Sequence, residues 1–309
     1  MPVPPDPDRA VPPALRDAVL AWYEATGRSL AFRATRDPYA VLVSELMAQQ
    51  TQAARAAAAW TAWMARWPTA ADVAAATLAD VLRAWAGLGY NRRAVHLHRA
   101  AQAIVTEHGG VVPDTVEGLA SLPGVGPYTA RAVAAIAFGR PVGAVDTNVR
   151  RVLGRVVEGG AGALAPAALQ ALADAAVPAG RAGDWTHALM DLGARLCRPR
   201  APRCADCPAI AWCRYAAGDR PSASPDSASP AAASAGRPPR PPFASTTRWL
   251  RGRILARARD AEDGEWIPYR EPIGGHDAAA VREAVAALAS EGLLEARDTA
   301  DGPDARLPA

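Results

Sequence analysis

There is no lysine in this chain of 309 residues; all 34 of its basic side chains are arginine. Without an ε-amine, no lysine Schiff base can form with a carbonyl group, which removes one class of covalent catalysis. Aromatic residues are scarce at 6%, with nine Trp the largest share, and β-branched runs are short. Alanine, the best helix former, dominates, so helices are expected over sheets. No run of ~20 apolar residues is present to cross a bilayer. The first 30 residues lack the basic, apolar, small-residue order of a secretion signal, so the protein is expected to be cytoplasmic, with no membrane contact. The net charge of +3 excludes a polycation, and any affinity for an anionic polymer must be local.

The length allows two domains and a sizeable core. Residues 1–13 are Pro-rich and expected to be disordered. Amphipathic stretches punctuated by Gly and Pro then predict helices over 14–26, 38–48, 52–66, 70–75, 78–87, 91–108, 115–121, 127–138, 146–156, 165–176 and 184–195. Residues 218–242 form a Pro/Ser/Ala linker too poor in large apolar side chains to fold alone. Beyond it, 243–309 reads as a small module of two helices, 244–259 and 277–291, with a hairpin-like tail, resembling a winged helix.

All four cysteines fall within 17 residues, Cys197, Cys204, Cys207 and Cys213, spaced C-x6-C-x2-C-x5-C. Such density without a secretion signal points to metal rather than disulfides. The uneven spacing suits a cubane iron–sulfur cluster, and zinc or redox thiols are also compatible with it. Between the first two cysteines, Arg198, Arg200 and Arg203 alternate with stiffening prolines. They read as having no nearby acid, a composition suited to phosphate oxygens.

The stretch LPGVGPYTA (122–130) separates two predicted helices. Pro123, Gly124, Val125 and Gly126 make a tight turn, and Pro127 suits a first helical position. Uncovered backbone N–H groups at a helix start can hold an anion, although a plain helix–helix turn has the same appearance. Asp146 opens a later helix, where it can be a simple N-cap. Glu45 lies among Val43, Leu46 and Met47, where burial would favour its neutral form.

Six segments together resemble the helix-hairpin-helix DNA glycosylases of the endonuclease III superfamily, and within it the MutY-type adenine glycosylases. They are SELMAQQTQ (44–52), GLGYNRRA (87–94), LPGVGPYTA, VDTNVRRVLGR (145–155), HALMDLGARLC (187–197) and the four-cysteine spacing, and the likeness covers about 14–217. It implies an all-α, two-lobed fold with a [4Fe–4S] cluster. A cluster lobe would comprise 14–26 plus 139–217, and a six-helix lobe carrying the hairpin would comprise 27–138. It also implies base-excision repair: hydrolytic removal of adenine from double-stranded DNA holding A:8-oxoguanine or A:G mispairs, by a monomer that would associate with the nucleoid through DNA.

The chemistry needs an acid to protonate the departing adenine and a retained negative charge beside the cationic sugar. By resemblance Glu45 is the acid acting at N7, Asp146 is the charge that stabilises or traps the sugar, and Asn148 helps position them. Tyr128 occupies the position where lyase-competent relatives carry a Schiff-base lysine, which implies a monofunctional enzyme. Gln50 and Tyr90 match wedge residues that fill the space left by a flipped base, and Arg33 and Asp191 match contacts to the flipped adenine. Alternatives on this scaffold are a thymine or uracil mismatch glycosylase and a non-catalytic, cluster-containing DNA-binding protein.

The sequence departs from the family in having Asn91 where many relatives repeat Tyr, and Ala31-Phe32 for Pro-Trp. Residues 243–309 are too few and too helical for the Nudix-like domain that reads 8-oxoguanine in many members. They are similar to the short tail of actinobacterial members.

Overall fold

The structure, a computed structural model, describes residues 10–160, 164–218 and 241–309. Most of the expected disordered start (1–9 of 1–13) and nearly all of the expected linker (219–240) lie outside the described residues. Fourteen α-helices are described: α1 (Pro13–Thr26), α2 (Pro38–Ala48), α3 (Ala53–Arg66), α4 (Ala70–Ala75), α5 (Leu78–Ala84), α6 (Arg92–Glu107), α7 (Val116–Ser121), α8 (Pro127–Phe138), α9 (Thr147–Glu158), α10 (Pro166–Ala175), α11 (Ala182–Arg195), α12 (Arg214–Ala217), α13 (Thr247–Asp260) and α14 (Ala278–Ser290).

Their starts are written locally. Proline takes the first position of α1, α8 and α10, where a missing N–H costs nothing. Thr69 and Asp72 close a capping box on α4, and Thr77, Asp146, Thr246 and Asp277 cap α5, α9, α13 and α14 through their side chains. The helix predicted over 78–87 stops at Ala84 because Gly87 and Gly89 turn the chain with φ of 82° and 69°.

The chain packs as two units. One comprises the described residues of Met1–Glu45, Pro113–Ser121 and Val125–Ala235, the other those of Leu46–Val112, Leu122–Gly124 and Gly236–Ala309. Residues 27–138, read from the sequence as one lobe, are shared between them. In the first unit, Leu15 and Val19 of α1, Val149, Val152 and Leu153 of α9, Leu169 of α10 and Trp185 and Leu192 of α11 form one buried core, and Cys197, Cys207 and Cys213 pack against it. In the second unit, the Trp63 ring meets those of Trp67 and Trp85 edge-on at 4.7 and 5.8 Å.

The C-terminal module is helix, strand, helix, hairpin. β1 (Ile267–Pro268), β2 (Glu295–Thr299) and β3 (Gly302–Arg306) form an antiparallel sheet in the order β1-β3-β2. The Tyr269 hydroxyl donates to the Ile254 carbonyl at 2.9 Å, fixing the strand entry against α13. The module docks on α5 of its own unit. Arg83 donates to the carbonyls of Arg259 and Ala261 and pairs with Asp263, while Arg259 Nε donates to the Leu82 carbonyl at 2.9 Å. No helix among the described residues is long and apolar enough to cross a membrane.

Candidate active site

α2 is buried on every side over Tyr39–Met47, which is why its apolar residues show no helical stripe. Glu45 sits in that run with 8% of its surface exposed. Burial pushes its carboxyl up to about 7, a hydrogen bond from Tyr128 and the charge of Arg33 pull it back, and the charge of Asp146 adds to the rise. Glu45 therefore carries a proton at neutral pH for much of the time. Tyr128, in the first turn of α8, is held well above its usual pKa, chiefly by burial and then by Glu45 and Asp146, so its hydroxyl stays protonated and can donate. That hydroxyl also lies 3.9 Å from Met190 Sδ of α11.

Asp146 caps α9: its Oδ1 accepts the Val149 N–H at 2.7 Å, and its Oδ2 accepts from Asn148 Nδ2 at 2.8 Å. Asn148 is held in turn by Arg151, which reaches its Oδ1 at 2.8 Å, the Gly193 carbonyl at 2.8 Å and the Cys197 carbonyl at 2.6 Å. The carboxylate is thus fixed by both N-cap and side-chain bonds, and one buried guanidinium ties it to the start of the cysteine loop. Gly193 makes this possible, since a Cβ there would stand 2.5 Å from Asn148 Cβ.

Arg33 and Asp191 are together, bonded to each other. Arg33 donates to both Asp191 oxygens at 3.0 and 2.8 Å, and Arg28 adds its Nε at 2.7 Å and its backbone N–H at 2.9 Å. The Asp191 side chain is 0% exposed. Burial alone would raise its pKa, but the bonds from Arg33 and Arg28 outweigh this and hold it at about 2. The Arg33 Nε is buried and has no partner among the described residues, so of this pair only the arginine has a polar atom to offer.

His187, outside the predicted set, is buried beside Tyr23, with ring centroids 6.4 Å apart, and burial followed by the charges of Arg33 and Arg36 lowers its pKa to about 3. It is neutral; it opens the HALMDLGARLC segment, but a lone histidine in a helix carries no sign of its burial.

The hairpin forms as the sequence predicts a turn to form. Gly124 has φ of +78°, and a Cβ on it would meet His96 Cβ at 2.4 Å. Gly126 is the N-cap residue of α8, exposed and without a side-chain cap, leaving the first N–H groups of a twelve-residue helix uncovered.

Cys197, Cys204, Cys207 and Cys213 line one small pocket with Arg155, Leu196, Ile210 and Tyr215. Arg155 donates to Cys197 Sγ at 3.5 Å and to the Arg198 and Pro199 carbonyls, while backbone N–H groups of Ala209 and Ala216 point to the sulfurs of Cys207 and Cys213. Among the described residues no three His, Cys, Asp or Glu side chains are arranged to hold a single metal ion. The exposed loop between the first two cysteines corrects one expectation. Arg203 is not free of acids: it pairs with Asp206 at 2.8 Å, an i,i+3 contact. Arg198 bonds the Ala201 carbonyl at 3.0 Å, and Arg200 is exposed.

In the second unit, Gln50 and Tyr90 are two of the three non-glycine residues with positive φ among the described residues, at 52° and 46°. Both loops are gathered by buried Arg93, which donates to the carbonyls of Leu46 (2.6 Å), Met47 (3.1 Å), Leu88 (3.2 Å) and Gly89 (3.1 Å) and to Thr51 Oγ1 (3.2 Å). Asn91, the residue that departs from the family, accepts from Arg259 of the C-terminal module at 2.7 Å.

Residues 43–162 match the HhH-GPD superfamily of base excision DNA repair proteins. The chain is 46% identical over 264 residues to an adenine DNA glycosylase of Mycobacterium tuberculosis, covering 84% of this chain and 83% of that protein. It is 41% identical over 286 residues to the adenine DNA glycosylase of Mycolicibacterium smegmatis, covering 92% and 93%. Among solved structures it is similar to a thermostable thymine-DNA glycosylase, with a TM-score of 0.63 and 30% identity, over 68% of this chain and 97% of that one.

Proposed function

Because the chain belongs to the adenine DNA glycosylases, helix-hairpin-helix hydrolases of base-excision repair that release adenine from DNA, we propose that it acts on adenine opposite 8-oxoguanine or guanine in double-stranded DNA, with Glu45 as acid and Asp146 as retained charge. The observation that carries this reading is the pair of unlike carboxyl environments. Glu45 is buried, raised to about 7 and bonded to Tyr128. Asp146 is half-exposed at a helix N-terminus, its carboxylate oriented by two N–H donors.

Adenine leaves deoxyribose readily only when protonated, and departure builds positive charge at C1′. Glu45 delivers its proton to adenine N7, and the bond electrons leave with the base. Asp146, oriented by Asn148, stabilises the cationic sugar until water adds at C1′, giving an abasic site and free adenine. The Arg33 Nε offers a donor to the flipped base. Asp191, with both oxygens taken up by Arg33 and Arg28, positions that arginine rather than touching adenine. Tyr128 donates to Glu45 and cannot form a Schiff base, so the reaction stops at the abasic site. Gln50 and Tyr90 serve as wedges, and the hairpin 123–126 and the arginines at 198, 200 and 203 meet phosphates.

The four cysteines suit a [4Fe–4S] cluster. Their sulfurs share one pocket, and N–H donors reach those of Cys197, Cys207 and Cys213, the kind of contact by which a protein tunes cluster thiolates. Bound there, the cluster would tie 197–213 to the first-unit core.

The test is a single-turnover assay on duplexes with adenine opposite 8-oxoguanine, guanine, cytosine and thymine, alongside a T:G duplex and the variants Glu45→Gln and Asp146→Asn. Adenine release by the wild type and its loss in both variants is expected. Release of thymine instead, or of no base, would overturn the reading.

A further inference from the structure

A short strap, residues 139–146, joins the helix of Tyr128 to Asp146. It leaves the C-terminal end of α8 at Gly139 and delivers Asp146 to the start of α9. Halfway along it, both backbone polar groups of buried Gly143 are taken by α10. The Gly143 N–H donates to Asp174 Oδ1 at 2.7 Å, and its carbonyl accepts from Gln170 Nε2 at 2.8 Å. The same Asp174 oxygen also accepts from Gln170 Nε2 at 3.0 Å and from Arg131 Nη1 at 2.6 Å. Arg131 lies one turn beyond Tyr128 on α8. We propose that Asp174 is a positioning residue for base release: one carboxylate oxygen sets the spacing between the α8 turn that carries Tyr128 and the strap that carries Asp146. The inference rests on the reading of Asp146 as the retained charge and adds to it a residue that touches no reacting atom.

The local geometry gives this clamp little play. A Cβ on Gly143 would stand 2.6 Å from the Ala173 carbonyl carbon and 2.7 Å from Ala173 Cβ. Its φ is not positive, so glycine is needed there for the close approach to α10 and not for a turn. Gln170 and Asp174 are four residues apart and share one face of α10, and the bond between them holds the acceptor in place. The bond from Arg131 is charge-assisted, with side chains 22% and 34% exposed, and such bonds are the stronger kind. Past Gly143, Ala144 is buried and Val145 packs against the first-unit core, so a shift at Gly143 is passed on to Asp146. The N–H of Val149 and the Asn148 amide orient the Asp146 carboxylate from the α9 side; Asp174 fixes the backbone that brings it there. A retained charge acts on a cationic sugar only from the right distance, and a misplacement of about 1 Å can cost roughly 100-fold in rate.

Positioning and plain stabilisation are told apart by two abasic analogues placed opposite guanine in a duplex. One carries a pyrrolidine, cationic at neutral pH, in place of the sugar; the other carries a neutral tetrahydrofuran. Asp146 attracts the first and not the second. Full-length wild type, Asp174→Ala, Asp174→Asn, Gln170→Ala and Glu24→Ala are compared at a temperature where circular dichroism shows each folded. Glu24 pairs with Arg181 at 2.7 Å, outside the strap and α10, and controls for the loss of an ion pair. Asp174→Ala is expected to slow single-turnover adenine release roughly tenfold and to weaken binding of the pyrrolidine duplex by a similar factor, with tetrahydrofuran binding within about twofold of wild type. Gln170→Ala, which removes a neutral bond, is the milder variant and is expected to show the same selective loss at about threefold. Asp174→Asn keeps an oxygen for the Gly143 N–H and is expected to restore most of the rate, and Glu24→Ala to match wild type. An unchanged rate in Asp174→Ala, an equal loss of both analogues, or an asparagine variant as slow as the alanine one overturns the proposal. A wild type that binds the two analogues alike defeats the reading of Asp146 itself, whereas a wild type that prefers the cation, with variants that do the same, defeats only the clamp.

Discussion

A carboxyl held at a pKa of about 7 inside an apolar helix is ionised at pH 8, against the preference of its surroundings. The folded-state pKa of Glu45 is raised above its ordinary value of 4.5, so the folded protein binds the extra proton between pH 4.5 and about 7. Stability attributable to this group is present below 4.5 and lost as pH rises through about 7, a cost of about 3 kcal/mol at pH 8. Glu45→Gln is therefore expected to abolish adenine release while raising the unfolding free energy at pH 8 by up to about 3 kcal/mol, with little gain near pH 4; denaturant titrations at the two pH values check this. The same protonation predicts that the single-turnover rate declines above about pH 7, and a rate constant flat to pH 9 would remove Glu45 as the acid. Asp191 behaves in the opposite sense. With its pKa lowered to about 2, its contribution is present above its ordinary range and lost only as pH falls through about 2. Asp191→Asn leaves two arginines facing a neutral, buried partner and is expected to cost about 3 to 5 kcal/mol in chemical denaturation.

Among the elements, α9 and α11 govern the site through one close approach. Gly193→Ala would bring a Cβ to 2.5 Å from Asn148 Cβ and 3.1 Å from its Cα, part of the very turn that holds Asp146. The expected result is about 1–3 kcal/mol of destabilisation and a loss of turnover larger than that destabilisation explains, seen as slow adenine release at a temperature where circular dichroism shows the variant fully folded. Helix positions were legible in the sequence because caps are local: the Thr69–Asp72 box, Thr77, Asp146 and Asp277 sit within three residues of the N–H groups they satisfy. Glu45 stood out for the same reason, as the one acid in an apolar run. The pairing of Asp191 with Arg28 and Arg33 was not legible, since it joins residues 163 and 158 apart and no periodicity encodes it. Arg203 is a different case: Asp206 lies three residues on and could have been read as its partner. The short α12, a single turn after Cys213, has too few residues to show a period.

For the whole chain, the absence of lysine makes a direct prediction. Borohydride added during turnover is expected to trap no lysine-linked complex with DNA, and mass spectrometry of the abasic-strand reaction checks it; a trapped adduct would require another amine. The C-terminal module packs in one unit with 46–112, and Asn91, standing where relatives carry an aromatic residue, finds its partner there. Arg259 bonds both Asn91 and the Leu82 carbonyl, so Arg259→Ala is expected to cost about 2–3 kcal/mol and to lower the melting temperature. Arg93 has a consequence of another kind. By gripping the carbonyls on either side, it joins the loop bearing Gln50 to the loop bearing Tyr90, so neither can relax its left-handed residue alone. If Gln50 and Tyr90 are the wedges proposed, they form a single tool with two teeth, set when the chain folds, and a duplex that accepts one must make room for the other in the same stroke.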